Sequence, residues 1–173
     1  NAPVRNVFPG IVGGTNWPPK AFSPRTHLIY IPSILQGGTW IPARSEYQRG
    51  ELYMGGMYFP DDGAAEGSIE AMDVRTGEIK WSFDTKGPNW GGPLATEGGL
   101  VFGGAHDGKL HAFNDETGEV LLEFQTANIV FAPPTTFRVN GKQVVGLASG
   151  AGFNSGHVTP KDFYYYLFGL PDE

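Results

Sequence analysis

The chain has 173 residues, including 26 glycines and 14 prolines, with 40% hydrophobic, 13% aromatic and only 17% charged residues. Its formal net charge is −6 at pH 7 and it contains no cysteine. One turn-rich all-β domain fits these values, whereas a disordered chain, a nucleic-acid-binding surface and cysteine-based zinc or thiol chemistry do not.

From the N-terminus, Asn1 to Asn6 shows neither an initiator Met nor an apolar h-region, so it reads as an internal or processed segment without a secretory signal. No apolar run is long enough to span a membrane. The first ~65 residues carry no clear repeat. Trp40 lies one period before Trp81, a coincidence on this reading.

A repeat then begins. Gly67 to Thr85 aligns without a gap to Gly108 to Thr126, at an offset of 41, with seven of 19 positions identical and four conservative. Each copy reads as strand, turn, strand. Ile69 and Ala71, or Leu110 and Ala112, alternate with polar neighbours as in a half-buried strand. Asp73 or Asn114 opens the turn through its side chain, and Gly77 or Gly118 closes it in the left-handed region. Ile79, Trp81 and Phe83, or Val120, Leu122 and Phe124, mark the next strand.

Further strands are predicted at Leu100 to Phe102 and Gln143 to Leu147, with tight turns at Asp107-Gly108 and Asn140-Gly141. The tail Phe163 to Phe168 is strongly strand-forming and is expected to pair with another strand, closing a ring or holding a partner chain. No long amphipathic helix is predicted.

A period near 40 with short strands and recurrent turns marks β-propeller blades. At this period the chain holds about three blades, with repeats near residues 57–97 and 98–138. That is too few for a ring, so the expectation is a fragment or one part of a two-chain propeller.

The wording Ala71-x-Asp73-x-x-Thr76-Gly77-x-x-x-Trp81 resembles the tryptophan-docking motif of the PQQ-dependent quinoprotein alcohol and methanol dehydrogenases. Asn89-Trp90-Gly91-Gly92 followed by Gly99-Leu100-Val101-Phe102 is similar to a second segment of that family. Gly13 to Trp17 with Leu28 to Pro32 is similar to a third. The resemblance implies the C-terminal third of such an enzyme, hence part of an eight-bladed propeller: about three blades and a closing strand, completed by an N-terminal chain or fragment. The docking motifs pin such blades together.

Residue by residue, the resemblance implies cofactor contacts for Asn16, Trp17, Trp90 and Ala151, the last within Gly150-Ala151-Gly152. Phe153-Asn154 departs from the Gly-Trp of methanol-oxidising members and leaves the alcohol open. The family's calcium or lanthanide ligands, catalytic aspartate and adjacent-cysteine disulfide have no match, so no catalytic or metal residue is assigned here. The implied activity is alcohol oxidation by hydride transfer to PQQ, with electrons passing to a cytochrome c-type acceptor in the periplasm. A non-catalytic propeller scaffold with the same docking repeats is the alternative; it has no reason to keep the Asn16-Trp17 and Trp90-Gly91-Gly92 segments in order.

Plainer roles stand beside these. Asn16 also suits a turn cap before Pro18-Pro19, and Trp17 suits blade packing. His106 and His111 flank a tight turn and are expected to face solvent. Asp61, Asp62 and Glu66 read as a solvated turn.

Overall fold

The computed structural model describes residues 2–44, 46–61, 65–150 and 163–169, and every element among them is a strand. In chain order these are β1 (Val4–Val7), β2 (Ala21–Ser23), β3 (Leu28–Leu35), β4 (Gly38–Pro42), β5 (Gly56–Pro60), β6 (Glu66–Asp73), β7 (Ile79–Asp84), β8 (Leu94–Ala95), β9 (Leu100–Gly104), β10 (Lys109–Asn114), β11 (Val120–Gln125), β12 (Thr135–Val139), β13 (Lys142–Ser149) and β14 (Tyr164–Gly169).

Three sheets carry the repeat. The first is β2-β3-β6-β7, the second β8-β9-β10-β11 and the third β12-β13-β14, all antiparallel. The two sequence copies occupy β6–β7 and β10–β11, the third and fourth strands of successive sheets. A separate sheet, β1-β4-β5, holds Trp40 against Tyr58 at 4.9 Å. The hairpin β4–β5 interrupts the first repeat unit between β3 and β6, which is why residues before 65 show no period.

The turns use the side chains that the sequence suggests. Arg75 N–H donates to Asp73 Oδ1 at 2.9 Å, and the N–H groups of Glu116 and Thr117 donate to Asn114 Oδ1 at 2.9 and 3.1 Å. Gly77 and Gly118 have φ of 74° and 73°, where an L side chain is strained. Asn140 and Gly141 both have positive φ, as a two-residue hairpin turn requires.

The sheets face one another through two apolar seams. Leu28, Tyr30, Ile69, Ala71 and Trp81 of the first sheet pack on Val101 and Phe113 of the second. The other face of the second sheet gives Phe102 and Leu110 to Val130, Leu147, Tyr166 and Phe168. The second sheet is therefore covered on both faces, and β10 is buried along most of its length. That corrects the expectation for His111, which is 2% exposed rather than solvent-facing. His106 is half-buried, with its ring against Gly87. The tail strand β14 pairs with β13 from Val144↔Gly169 to Ser149↔Tyr164, so its partner lies within this chain.

Candidate functional site

Each of the three sheets is entered by a proline-marked loop with an aromatic residue four positions before the first strand. These residues are Trp17 before Ala21, Trp90 before Leu94 and Phe131 before Thr135. The loops read Trp17-Pro18-Pro19, Trp90-Gly91-Gly92-Pro93 and Phe131-Ala132-Pro133-Pro134. Proline suits the extended backbone that feeds an inner strand. Phe131 was not singled out by the motifs; its spacing to the strand and the following prolines were the available signal.

The fold brings Trp17 and Trp90 together although 73 positions separate them. Their rings stack with centroids 5.7 Å apart and planes 26° off parallel. Trp17 is 56% exposed, an unusual state for a large aromatic in a core-packing role. The glycines after Trp90 make the approach possible. A Cβ on Gly92 would lie 2.6 Å from Pro19 Cδ, and one on Gly91 would lie 2.9 Å from the Val130 carbonyl. Asn89, 2% exposed, supports the turn by accepting the Gly91 N–H at 3.0 Å.

Asn16 is exposed beside this pair. Its Nδ2 donates to the Val12 carbonyl at 2.7 Å, and its Oδ1 accepts the Trp17 N–H at 2.8 Å. Those are the bonds of the plainer turn-capping role, and they fix the amide next to the stack. An amide has two donors and two acceptor lone pairs, so one of each is committed to the turn. Lys20 Nζ donates to the Asn16 carbonyl at 2.7 Å, placing a cation at the same end.

Ala151 lies outside the described residues, as do Phe153, Asn154 and Asp62. Gly150, the residue before Ala151, donates its N–H to the Ile129 carbonyl at 3.1 Å. It lines a cleft of about 420 Å³ with Phe131, Ala132, Ser149 and Phe163. Another cleft, of about 690 Å³, lies on the outer face of the first sheet among Ser33, Ser68, Glu70, Ser82 and Lys86, and reaches Gly14 and Gly87. No group of three or more His, Asp or Glu side chains capable of holding a metal occurs among the described residues.

The contacts between the first two sheets converge on one turn. Trp81 Nε1 donates to the Asp115 carbonyl at 3.1 Å, and Tyr30 Oη donates to the same oxygen at 3.0 Å. A Cβ on Gly118 would meet the Trp81 ring at 2.6 to 2.9 Å, so the indole lies directly on that glycine. The Asp115 carboxylate, 1% exposed, is paired with the Arg25 guanidinium, which also reaches Glu116. The Glu116 bond, with help from Asp115, raises the Arg25 pKa above its usual value.

Comparison with known proteins identifies this arrangement. Residues 85–145 match the family described as "Glucose/ethanol/alcohol dehydrogenase, beta-propeller domain". The chain is 39% identical over 152 residues to a quinoprotein ethanol dehydrogenase of Pseudomonas putida, covering 84% of this chain and 24% of that protein. It is 36% identical over 152 residues to a lanthanide-dependent methanol dehydrogenase of Methylorubrum extorquens, covering 86% of this chain and 25% of that protein. Among solved structures, a europium-containing methanol dehydrogenase superposes with a TM-score of 0.80 at 30% identity, over 87% of this chain and 27% of that one. A quinohemoprotein alcohol dehydrogenase from Comamonas testosteroni does so with a TM-score of 0.78 at 31% identity, over 86% and 24%. The chain is homologous to the quinoprotein alcohol dehydrogenases, spans about a quarter of their length, and forms part of their β-propeller.

Proposed function

We propose that this chain supplies one wall of the quinone pocket in a PQQ-dependent alcohol dehydrogenase. The observation that carries the reading is the Trp17–Trp90 stack, held by side-chain-free Gly91 and Gly92 at the end where the inner strands begin. A flat, anionic quinone suits such a place. Aromatic faces take its ring, while the Asn16 amide and the Lys20 ammonium offer hydrogen bonds and positive charge.

PQQ supplies the hydride-accepting carbonyl when it is bound. The residues of this chain bind and orient. Trp17 and Trp90 would offer aromatic surface to the cofactor's ring, and Asn16 would offer it a hydrogen bond from its remaining amide donor or acceptor. Calcium or a lanthanide, and the base that takes the alcohol proton, come from the rest of the protein. So do the contacts to the alcohol and to a cytochrome c-type acceptor. On this reading the work is done in the periplasm.

The outer face of the first sheet favours a further sheet as neighbour. The Asp73–Gly77 turn closes as the Asn114–Gly118 turn does: Gly77 N–H donates to Asp73 O at 2.8 Å and Gly118 N–H to Asn114 O at 2.9 Å. Trp81 lies on Gly118, whereas the space above Gly77 is open. A second tryptophan, from a strand outside this chain, fits that seat in the manner of the family's docking motif.

Native mass spectrometry of the purified assembly tests the proposal. A longer co-purifying segment and one quinone per complex are expected. A stable 18.7 kDa monomer that takes up no added quinone would contradict it.

A further inference from the structure

The two seams between sheets are built around the same three-ring cluster. In the first seam, Phe83 lies 4.7 Å from His111 at 55° and 4.9 Å from Phe113 at 62°, while His111 and Phe113 stack at 5.7 Å and 21°. In the second, Phe124 lies 5.6 Å from Tyr166 at 68° and 5.0 Å from Phe168 at 79°, while Tyr166 and Phe168 stack at 6.3 Å and 20°. Phe83 and Phe124 are equivalent in the repeat, and β10 and β14 are the third strands of their sheets.

One position distinguishes the clusters. Tyr166 has its polar atom satisfied, because Oη accepts the Ala127 N–H at 2.9 Å. His111 occupies the matching place with its ring 2% exposed, and neither Nδ1 nor Nε2 has a hydrogen-bond partner. A buried imidazole without a hydrogen bond, in an aromatic cluster, is tolerated neutral and disfavoured charged.

We propose that His111 makes the seam between the first and second sheets a proton-sensitive joint. Neutral, its ring packs as the aromatic member between Phe83 and Phe113. Protonated, it places a cation against β7 and loosens that strand from β10. The surrounding groups determine the balance. On β11, Glu123 Oε1 lies 3.5 Å from Nδ1 and favours the cation, but it is shared with Lys109, whose Nζ donates to Glu123 at 3.0 Å. Asp107 in the preceding turn also favours the cation, and Lys109 on β10 opposes it. From β7 the ring meets Phe83, and on β9 it is paired with Gly103; neither titrates.

Burial outweighs these charges and holds the His111 pKa below its ordinary value of 6.5. The unfolded or opened state therefore binds the proton more readily than the closed one. The seam is at full strength above about pH 6.5, and each pH unit below that raises its opening constant by up to about tenfold until the closed state protonates too.

Hydrogen–deuterium exchange on the intact protein between pH 5 and 7.5, corrected for intrinsic exchange, reads this directly. Peptides covering β7 and β10 are expected to lose protection as pH falls, while peptides covering β13 and β14 serve as the internal control. His111→Tyr, which copies the second seam, and His111→Phe are expected to flatten the β7/β10 profile; His27→Gln, at an exposed site, is expected to leave it unchanged. An unchanged profile in folded His111 variants would overturn the proposal. Should those variants misfold, imidazole 15N resonances of the native protein decide: His111 must titrate below 6.5, and titration at or above that value would overturn it.

Discussion

Trp81 donates its indole N–H to the carbonyl of Asp115 at 3.1 Å and rests its ring on Gly118 three residues further on. One side chain of β7 thus makes both a hydrogen bond and a stacked contact with the next sheet. Truncating it opens a cavity and leaves the Asp115 carbonyl with the Tyr30 hydroxyl as its remaining side-chain donor. Trp81→Ala should cost about 3–5 kcal/mol, measured by urea unfolding. A loss below ~1 kcal/mol would show that the seam is held elsewhere.

Gly118 and Gly77 provide a matched pair. Both have φ near 74°, so alanine strains either backbone by ~1 kcal/mol. Only at Gly118 does the new Cβ also run into an indole. Gly118→Ala should therefore destabilise the chain by about 1–3 kcal/mol more than Gly77→Ala. In the assembled protein the difference should shrink, because a neighbouring tryptophan would then cover Gly77. Equal costs in the chain by itself would contradict the seating of Trp81.

Arg25 and Asp115 join the same two sheets. Asp115 is buried and Arg25 is half-exposed, so Arg25→Ala would leave a carboxylate without its counter-ion. The unfolding temperature should fall, by less than for the loss of a wholly buried pair because water reaches the Arg25 side. Asp115→Asn should cost less, since the amide still accepts from Arg25. Thermal unfolding of the three proteins at one pH gives the order.

Asp73 carries a pH prediction of opposite origin to that of His111. Hydrogen bonds from the Arg75 side chain and backbone hold its pKa well below the usual carboxylate range. Its contribution is present above the unfolded value of about 3.9 and is lost as pH falls toward the folded one. Asp73→Asn, which copies Asn114 of the second repeat, should keep the turn and remove that acid-induced loss. Unfolding midpoints between pH 2 and 5 are the check.

Much of this organisation is legible in the sequence because its punctuation is chemical. Asp73 or Asn114 followed by Gly77 or Gly118 fixes two equivalent turns, and their spacing sets the sheets side by side. The first sheet was hidden. Its strands β2 and β3 are separated from β6 and β7 by the β4–β5 hairpin, so no 41-residue period reaches them. His111 was misread because alternation along β10 predicts one solvent face, yet sheets cover both. At the site, Trp17 and Trp90 were marked by motif and meet in space. Phe131 was missed because its loop carries no tryptophan, and only its register with the following strand reveals the equivalence.

The quinone affinity of the assembled protein, followed by absorbance for the native form, Trp17→Ala and Trp90→Ala, tests the central claim most directly. Trp17 is half-exposed, so its loss should leave folding intact within ~1 kcal/mol. Each variant should bind PQQ about two- to tenfold more weakly, given the ~0.5–1.5 kcal/mol of an aromatic stacking contact. Folded variants that bind the quinone as tightly as the native protein would contradict the claim that this chain forms a wall of the pocket.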